Sequence, residues 1–200
     1  MTKEKILNIS SRLFYEKGIA NVRLQQIADN AKISVGNLAY HYPNKQAIVN
    51  AIYRTAFDEL SELVETLFYE DDFADFDDSI KSFFRFQNTY GFCFNNVWEI
   101  SRNYPHLHQQ WKTISNRMVL QIQKRFAAFA KDNLVRPEPL KSSYKTLSEE
   151  FLLHFLCWVA QQTMRGKSAT LLSFRRTSWA LLFPYFTEKG ISEYRKLGID

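Results

Sequence analysis

Residues 34–45 read Ser-Val-Gly-Asn-Leu-Ala-Tyr-His-Tyr-Pro-Asn-Lys. A helix that reads DNA must present small residues and hydrogen-bonding tips to base edges at its N-terminal end. Ser34, Val35, Gly36 and Asn37 have those properties at that end. Gly36 allows close backbone approach, Asn37 can pair with a base edge, and Val35 can touch a thymine methyl. Tyr40 and His41 lie further along, where they can bond phosphates. Lys45 falls in the first turn of the next helix, where an ammonium and a helix N-terminus together suit a phosphate. Arg23 opens the preceding helix and can clamp the backbone on the other side. Leu38, Ile27, Ala28 and Ile33 are read as packing.

Other chemistries do not assemble. His106 and His108 are two apart, a spacing that does not place both rings on one helix face, so no metal is expected. Cys93 and Cys157 lie far apart in aromatic surroundings. They form no disulfide framework or zinc motif and are expected to be buried apolar residues in a reducing compartment. Cys93 with His41 or His154 makes no nucleophile pairing. No Gly-rich phosphate loop and no Ser/His/Asp set is present. No enzyme activity and no cofactor are predicted. No signal-peptide core and no bilayer-spanning run is found, which predicts a cytoplasmic protein with no membrane partner.

The elements that position residues 34–45 follow from periodicity and punctuation. Ile6, Ile9, Leu13 and Phe14 predict a first helix over 3–17, stopped at Gly18. Leu24, Ile27, Ala28 and Ala31 mark a short second helix, broken by Lys32-Ile33-Ser34. Ser34 can cap a third over 35–41. Tyr42-Pro43 ends it, because a residue before proline is pushed out of helical geometry. Asn44 then caps a long fourth helix reaching Leu67. An aromatic segment over 79–102 is helical in pattern. Asn103-Tyr104-Pro105 separates it from a long helix over 106–133. Two more helices are predicted over 144–166 and 169–187, the second kinked or shortened at Pro184. A last short helix follows Gly190. No stretch alternates with period two, so an all-α chain is expected.

With 46% hydrophobic residues, the 200-residue chain can bury a substantial core, and 17 Phe make that core aromatic. Charge is unevenly placed. Residues 1–56 hold eight bases and three acids, whereas residues 57–200 hold eighteen of each. The whole excess of +5 therefore lies in the first quarter, the pattern of a polyanion-binding head on a neutral body. Residues 58–78 contain ten acids and no base, read as a solvated helix face and loop.

Three short helices in fifty residues, the last two joined by a tight turn, have helix-turn-helix organisation. Residues 3–53 resemble the head of the TetR/AcrR family of bacterial transcriptional regulators. The resemblance rests on Ile27-Ala28, Ala31, Ile33-Ser34-Val35-Gly36-Asn37-Leu38 and Tyr40-His41-Tyr42-Pro43-Asn44-Lys45, in phase without a gap. Three residues depart from the family pattern. Ala39 stands in place of a tyrosine, Lys32 in place of the turn glycine, and Arg23 in place of a Thr or Ser cap. Lys32 must accept a left-handed backbone or alter the turn.

The resemblance implies an all-α protein with a helix-turn-helix DNA-binding domain over 1–50. An effector-binding and dimerisation domain would occupy 51–200. It implies a homodimer on a palindromic operator in double-stranded DNA, built on the last two long helices. Leu152, Leu156, Val159, Leu171, Phe174, Trp179, Leu182 and Phe183 are the candidate interface, with the monomer core as the alternative. It also implies a pocket for a small effector. Phe84, Phe92, Phe94, Trp98, Trp111, Met118, Phe155 and Trp158 are the candidate lining, which points to an apolar or aromatic ligand. Ordinary core is the alternative for each of these. Three readings stay open: a repressor released by a small effector, a DNA-binding regulator signalled by a protein partner or by nothing, and a helical enzyme or carrier with a vestigial head.

Overall fold

A computed structural model describes residues 3–66, 72–95 and 97–199. The N-terminal helices are α1 (Lys3–Lys17), α2 (Leu24–Ala31), α3 (Val35–His41) and α4 (Lys45–Thr66). Next come α5 (Phe73–Tyr90), α6 (Phe92–Asn95), α7 (Val97–Asn103) and α8 (Pro105–Lys131). The chain continues with α9 (Ser143–Met164), α10 (Leu171–Leu182), a 3-10 turn (Phe183–Tyr185) and α11 (Glu188–Lys196). Leu67, expected at the end of the fourth helix, lies outside the described residues, as do Glu70 and Asp71 of the acidic run. Among the described residues there is no strand, only an isolated antiparallel bridge between Val135 and Phe186. No described helix is long and apolar enough to cross a membrane.

The described residues form two compact units, one of residues up to Glu59 with Phe92–Trp111, the other of Leu60–Gly91 with residues from Lys112 on. In the first, Ile6, Phe14, Ile27, Ala28, Leu38 and Ile48 are buried together at 0–1% exposure. Gly18 ends α1 at φ +78°, a left-handed conformation that costs glycine nothing. Asn44 accepts the Ala47 N–H at 2.8 Å, capping α4. Tyr53 of α4 donates its hydroxyl to the Cys93 carbonyl at 2.8 Å. Trp111 of α8 lies 6.3 Å from Phe57 and 5.1 Å from Phe94.

The second unit has an aromatic core. Phe73, Phe76, Phe126, Phe129, Phe151 and Trp179 are buried to 2% exposure or less. Phe76 meets Trp179 edge-on at 5.4 Å, and Phe83 stacks on Phe155 at 4.3 Å, geometries that aromatic quadrupoles favour. The many phenylalanines thus interlock with one another.

The acidic run departs from expectation. The segment after Asp72 is a helix, because the Asp72 side chain accepts the Asp75 N–H at 2.8 Å and caps α5 six residues earlier than periodicity predicts. Asp77 is not solvated but 1% exposed. Arg175 of α10 holds it through Nε at 2.9 Å and Nη2 at 2.7 Å, Trp179 donates its indole N–H at 3.0 Å, and Lys81 lies 2.9 Å away. Burial alone would raise the Asp77 carboxyl, but hydrogen bonds from Arg175, Trp179 and Lys81, with the Arg175 charge, hold it below its ordinary value. Asp75 likewise pairs with the buried Arg125. A partner 98 residues away is invisible to a local charge count.

Two further polar groups cross this core. Gln87, 3% exposed, accepts the Val159 N–H at 2.9 Å and donates to the His154 carbonyl at 3.2 Å, tying α5 to α9. Ser178 donates to the Phe174 carbonyl at 2.8 Å, so it accepts from His154 Nε2 at 2.8 Å. The His154 ring lies flat on Phe174, 4.8 Å away at 7°. Burial pushes the imidazole down to about 4 against a smaller opposing effect of the Phe174 backbone.

At the C-terminal end, Pro184 shortens α10 as expected, and the chain passes through the 3-10 turn. Gly190 does not precede the last helix but lies inside it, its N–H bonded to the Thr187 cap at 3.0 Å. A Cβ at Gly190 would stand 2.0 Å from the Leu134 carbonyl, so the reason for glycine is close approach, not helix termination.

Asp77→Ala leaves Arg175 and Lys81 without their buried counter-ion and is expected to destabilise the chain by about 3 kcal/mol in urea unfolding. The Asp77 contribution is present above the ordinary carboxylate pKa and is lost as pH falls through the depressed folded value. His154 acts in a different window. Its folded value lies below the unfolded 6.5, so the unfolded chain takes up the proton first, and stability falls as pH drops from 6.5 towards 4. The loss attributable to His154 reaches about 3 kcal/mol at the low end. Unfolding midpoints at pH 7 and pH 5 should differ less in His154→Gln than in the parent.

Candidate nucleic-acid interface

The turn between α2 and α3 sets the direction of α3, the candidate reading helix. Lys32 takes the left-handed conformation, φ 56° and ψ 45°, as its place in the turn requires. Its N–H bonds the Asp29 carbonyl at 3.1 Å, and the Ile33 N–H bonds Ala28 at 3.0 Å, so the last carbonyls of α2 are satisfied. Ser34 Oγ then accepts the Asn37 N–H at 3.1 Å and starts α3. Leu38, 0% exposed, pins this seven-residue helix to the head.

With Leu38 inward, Ser34, Gly36, Asn37 and Tyr40 are exposed, and Val35 and His41 are half-buried. Tyr40 is 87% exposed, its ring edge-on to His41 at 5.3 Å. A Cβ at Gly36 would meet nothing closer than Ser34 Oγ at 3.9 Å, so internal packing does not demand a glycine there. Arg23 cannot supply a capping oxygen. Gln26 compensates by accepting the Arg23 backbone N–H at 2.8 Å, leaving the exposed guanidinium outside the capping contact.

Lys45 has an internal task as well. Its ammonium donates to the carbonyls of Ile19 at 2.8 Å and Ala20 at 3.2 Å, engaging two of its three donors. It ties the connection after α1 to the start of α4. His106, one half of the rejected metal pair, contacts Asn50 Oδ1 at 3.1 Å. Among the described residues no three His, Cys, Asp or Glu side chains are grouped to hold a metal ion. Local spacing did not single out Arg54. It lines a cleft with His41 and His106, and His106 lies fifty-two positions beyond Arg54 in the chain.

The other candidate residues are distributed differently than expected. Phe92, Phe94, Trp98 and Trp111 belong to the first unit, and Phe84, Met118, Phe155 and Trp158 to the second. Trp98 is 81% exposed, where an enclosed lining residue is expected. Phe84 and Trp158 pack on Phe174 at 5.5 and 5.3 Å, and Phe155 stacks on Phe83. Of the candidate interface, Phe174, Trp179 and Leu182 are 0–1% exposed and Leu156 6%, so these four are core of their own unit. Leu152 and Val159 are half-buried. Leu171 and Phe183 are 39% and 49% exposed. Cys93 is buried as expected, but Cys157 is exposed, on a stripe of α9 that runs through Leu153, Cys157 and Met164 and is joined on α10 by Leu172.

Residues 6–52 match the family described as bacterial regulatory proteins, tetR family, and residues 53–194 match TetR, described as bacterial transcriptional repressor. The chain is 26% identical over 108 residues to the biofilm operon icaADBC HTH-type negative transcriptional regulator IcaR of Staphylococcus aureus (strain Newman), a match over 54% of this chain and 52% of that protein. It is 32% identical over 103 residues to the HTH-type transcriptional regulator RutR of Escherichia coli K12, covering 52% and 42%. The chain spans about half the length of the curated relatives it matches. A solved TetR-family transcriptional regulator from Marinobacter aquaeolei VT8 superposes with a TM-score of 0.83 at 25% identity, over 98% of this chain and 97% of that one. Family members are DNA-binding transcription regulators, not enzymes. By these matches, over the head and over most of the rest, the chain belongs to the TetR family of bacterial transcriptional regulators.

Proposed function

We propose that this chain is a cytoplasmic, homodimeric repressor that reads a palindromic operator in double-stranded DNA. Residues 1–50 act as the DNA-binding domain and residues 51–200 as the effector-binding and dimerisation domain. The observation that carries this reading is the outward face of α3, where Gly36 and Asn37 are exposed while Leu38 and the Ser34 cap hold the helix from behind. Asn37 and Val35 contact base edges. Ser34, Tyr40 and His41 contact phosphates or sugar, and Arg23 clamps the backbone at the start of α2. Lys45 presents its remaining donor to a phosphate while holding the head together. The name of the relative IcaR, a negative regulator, supports repression.

The dimer forms on the exposed stripe of α9 and α10, with Leu153, Cys157, Met164, Leu172 and Phe183 covered by the same residues of a second copy, as a two-fold interface requires. A small apolar or aromatic effector, received among the aromatic residues of the body, releases the operator. It does so by favouring an arrangement in which the two heads no longer fit two half-sites. A second reading, a signal delivered by a protein partner without a small ligand, is favoured by the ring packing of Phe84, Phe155 and Trp158 on Phe83 and Phe174.

Selection from a pool of random duplexes is expected to enrich a palindrome. Asn37→Ala should relax preference at one position of each half-site, a loss of about 1–3 kcal/mol. Phe183→Glu should shift the chain to monomer in sedimentation and abolish enrichment of the paired half-sites. A wild-type chain that enriches nothing and binds no duplex at low salt would sink the DNA-reading proposal.

A further inference from the structure

A cleft of about 340 Å³ opens in the first unit beside the end of α3. His41, Tyr42 and Pro43 form one wall. The floor is a single face of α4, where Ala47, Asn50, Ala51 and Arg54 recur at helical spacing. His106 and Gln110, one turn apart at the start of α8, form the far wall. The cleft is lined by one guanidinium, two imidazoles and two amides, and by no carboxylate. With Asn50 Oδ1 accepting from His106 Nε2 at 3.1 Å, the Asn50 NH₂ remains a donor. Beside these donors lie the apolar surfaces of Pro43, Ala47, Ala51 and Leu107.

Polar groups interleaved with small apolar side chains, and no carboxylate among them, suit an amphiphilic anion. We propose that this cleft binds a small organic acid, its carboxylate on Arg54 and its short apolar body against Ala47, Ala51 and Pro43. Arg54 supplies the planar fork that matches a carboxylate. The volume lies at the small end of ligand pockets and suits an acid of benzoate size. A DNA phosphate fits the position less well. Arg54 is nine residues beyond Lys45, roughly 13 Å along α4 from the end that faces the operator in the proposed reading.

This site goes beyond the effector reading and shares none of its aromatic residues. Its consequence for regulation comes through His41, which belongs both to the cleft and to the last turn of the reading helix. An acid bound there acts on the conformation of that turn, and by linkage operator and acid change each other's affinity by the same factor.

The test uses the full chain without DNA, so its outcome is independent of whether an operator is ever found. Benzoate is the probe, benzyl alcohol its uncharged counterpart, and inorganic phosphate the anion without an apolar body, each titrated by ligand-observed NMR. Benzoate should bind roughly tenfold or more tightly than either control, and Arg54→Gln should remove that advantage with the helical circular dichroism unchanged. Should Arg54→Gln unfold the head, Arg54→Lys, which keeps the charge and loses the fork, should weaken benzoate severalfold. Equal binding of benzoate and benzyl alcohol, phosphate binding as tightly as benzoate, or benzoate affinity untouched by Arg54→Gln would each overturn the proposal.

Discussion

A carboxylate shut away from water dictates terms to its surroundings, because an unmatched buried charge costs far more than a misplaced methyl group. Asp77 is that group in the second unit. Its two oxygens take the guanidinium fork of Arg175 and the indole N–H of Trp179, donors one helical turn apart on α10. An ammonium one turn along α5, from Lys81, completes the set. Sliding α10 along α5 by a turn would strand the ion, so the pair has one favourable register. The rings around it, Phe73 and Phe76 against Trp179, gain area from any close arrangement. Aromatic burial supplies the bulk of the driving force, and the ionic cluster gives it direction.

The head works on a smaller scale. Helices of seven and eight residues are marginal alone, and their order comes from caps and contacts. Ser34 and Gln26 satisfy backbone groups at the open ends of the two short helices, Asn44 caps α4, and Lys45 holds carbonyls of the connection after α1. Because the backbone is secured this way, the exposed side chains of α3 are left to face outward.

Most of the head was legible in the sequence because its signals are local. Gly18, Ser34, Pro43 and Asn44 mark element ends by chemistry confined to their neighbours, and the predicted third helix coincides with α3. The strained residue of the turn was legible too, since a lysine in a glycine's place has few options. What depends on distant partners was not. Residues 151–160 are apolar on every side except at His154, so periodicity carries no sign of which face turns inward. Leu156 is in fact buried and Leu153 exposed. Asp77 looked like one solvated acid among ten until α10 supplied its partners. The cleft at Arg54 needs residues from α3, α4 and α8 and leaves no spacing to recognise.

The hydrogen bonds from Lys45 to Ile19 and Ala20 bear on how genetic variants of this regulator should be interpreted. A codon change at position 45 is pleiotropic. It unties the joint between α1 and α4 and, in the proposed reading, also subtracts a cation that faces the operator, so a loss-of-function allele there conflates weaker contact with a looser head. Asn37, whose side chain lies exposed and whose backbone alone serves the cap, offers geneticists the cleaner separation of the two.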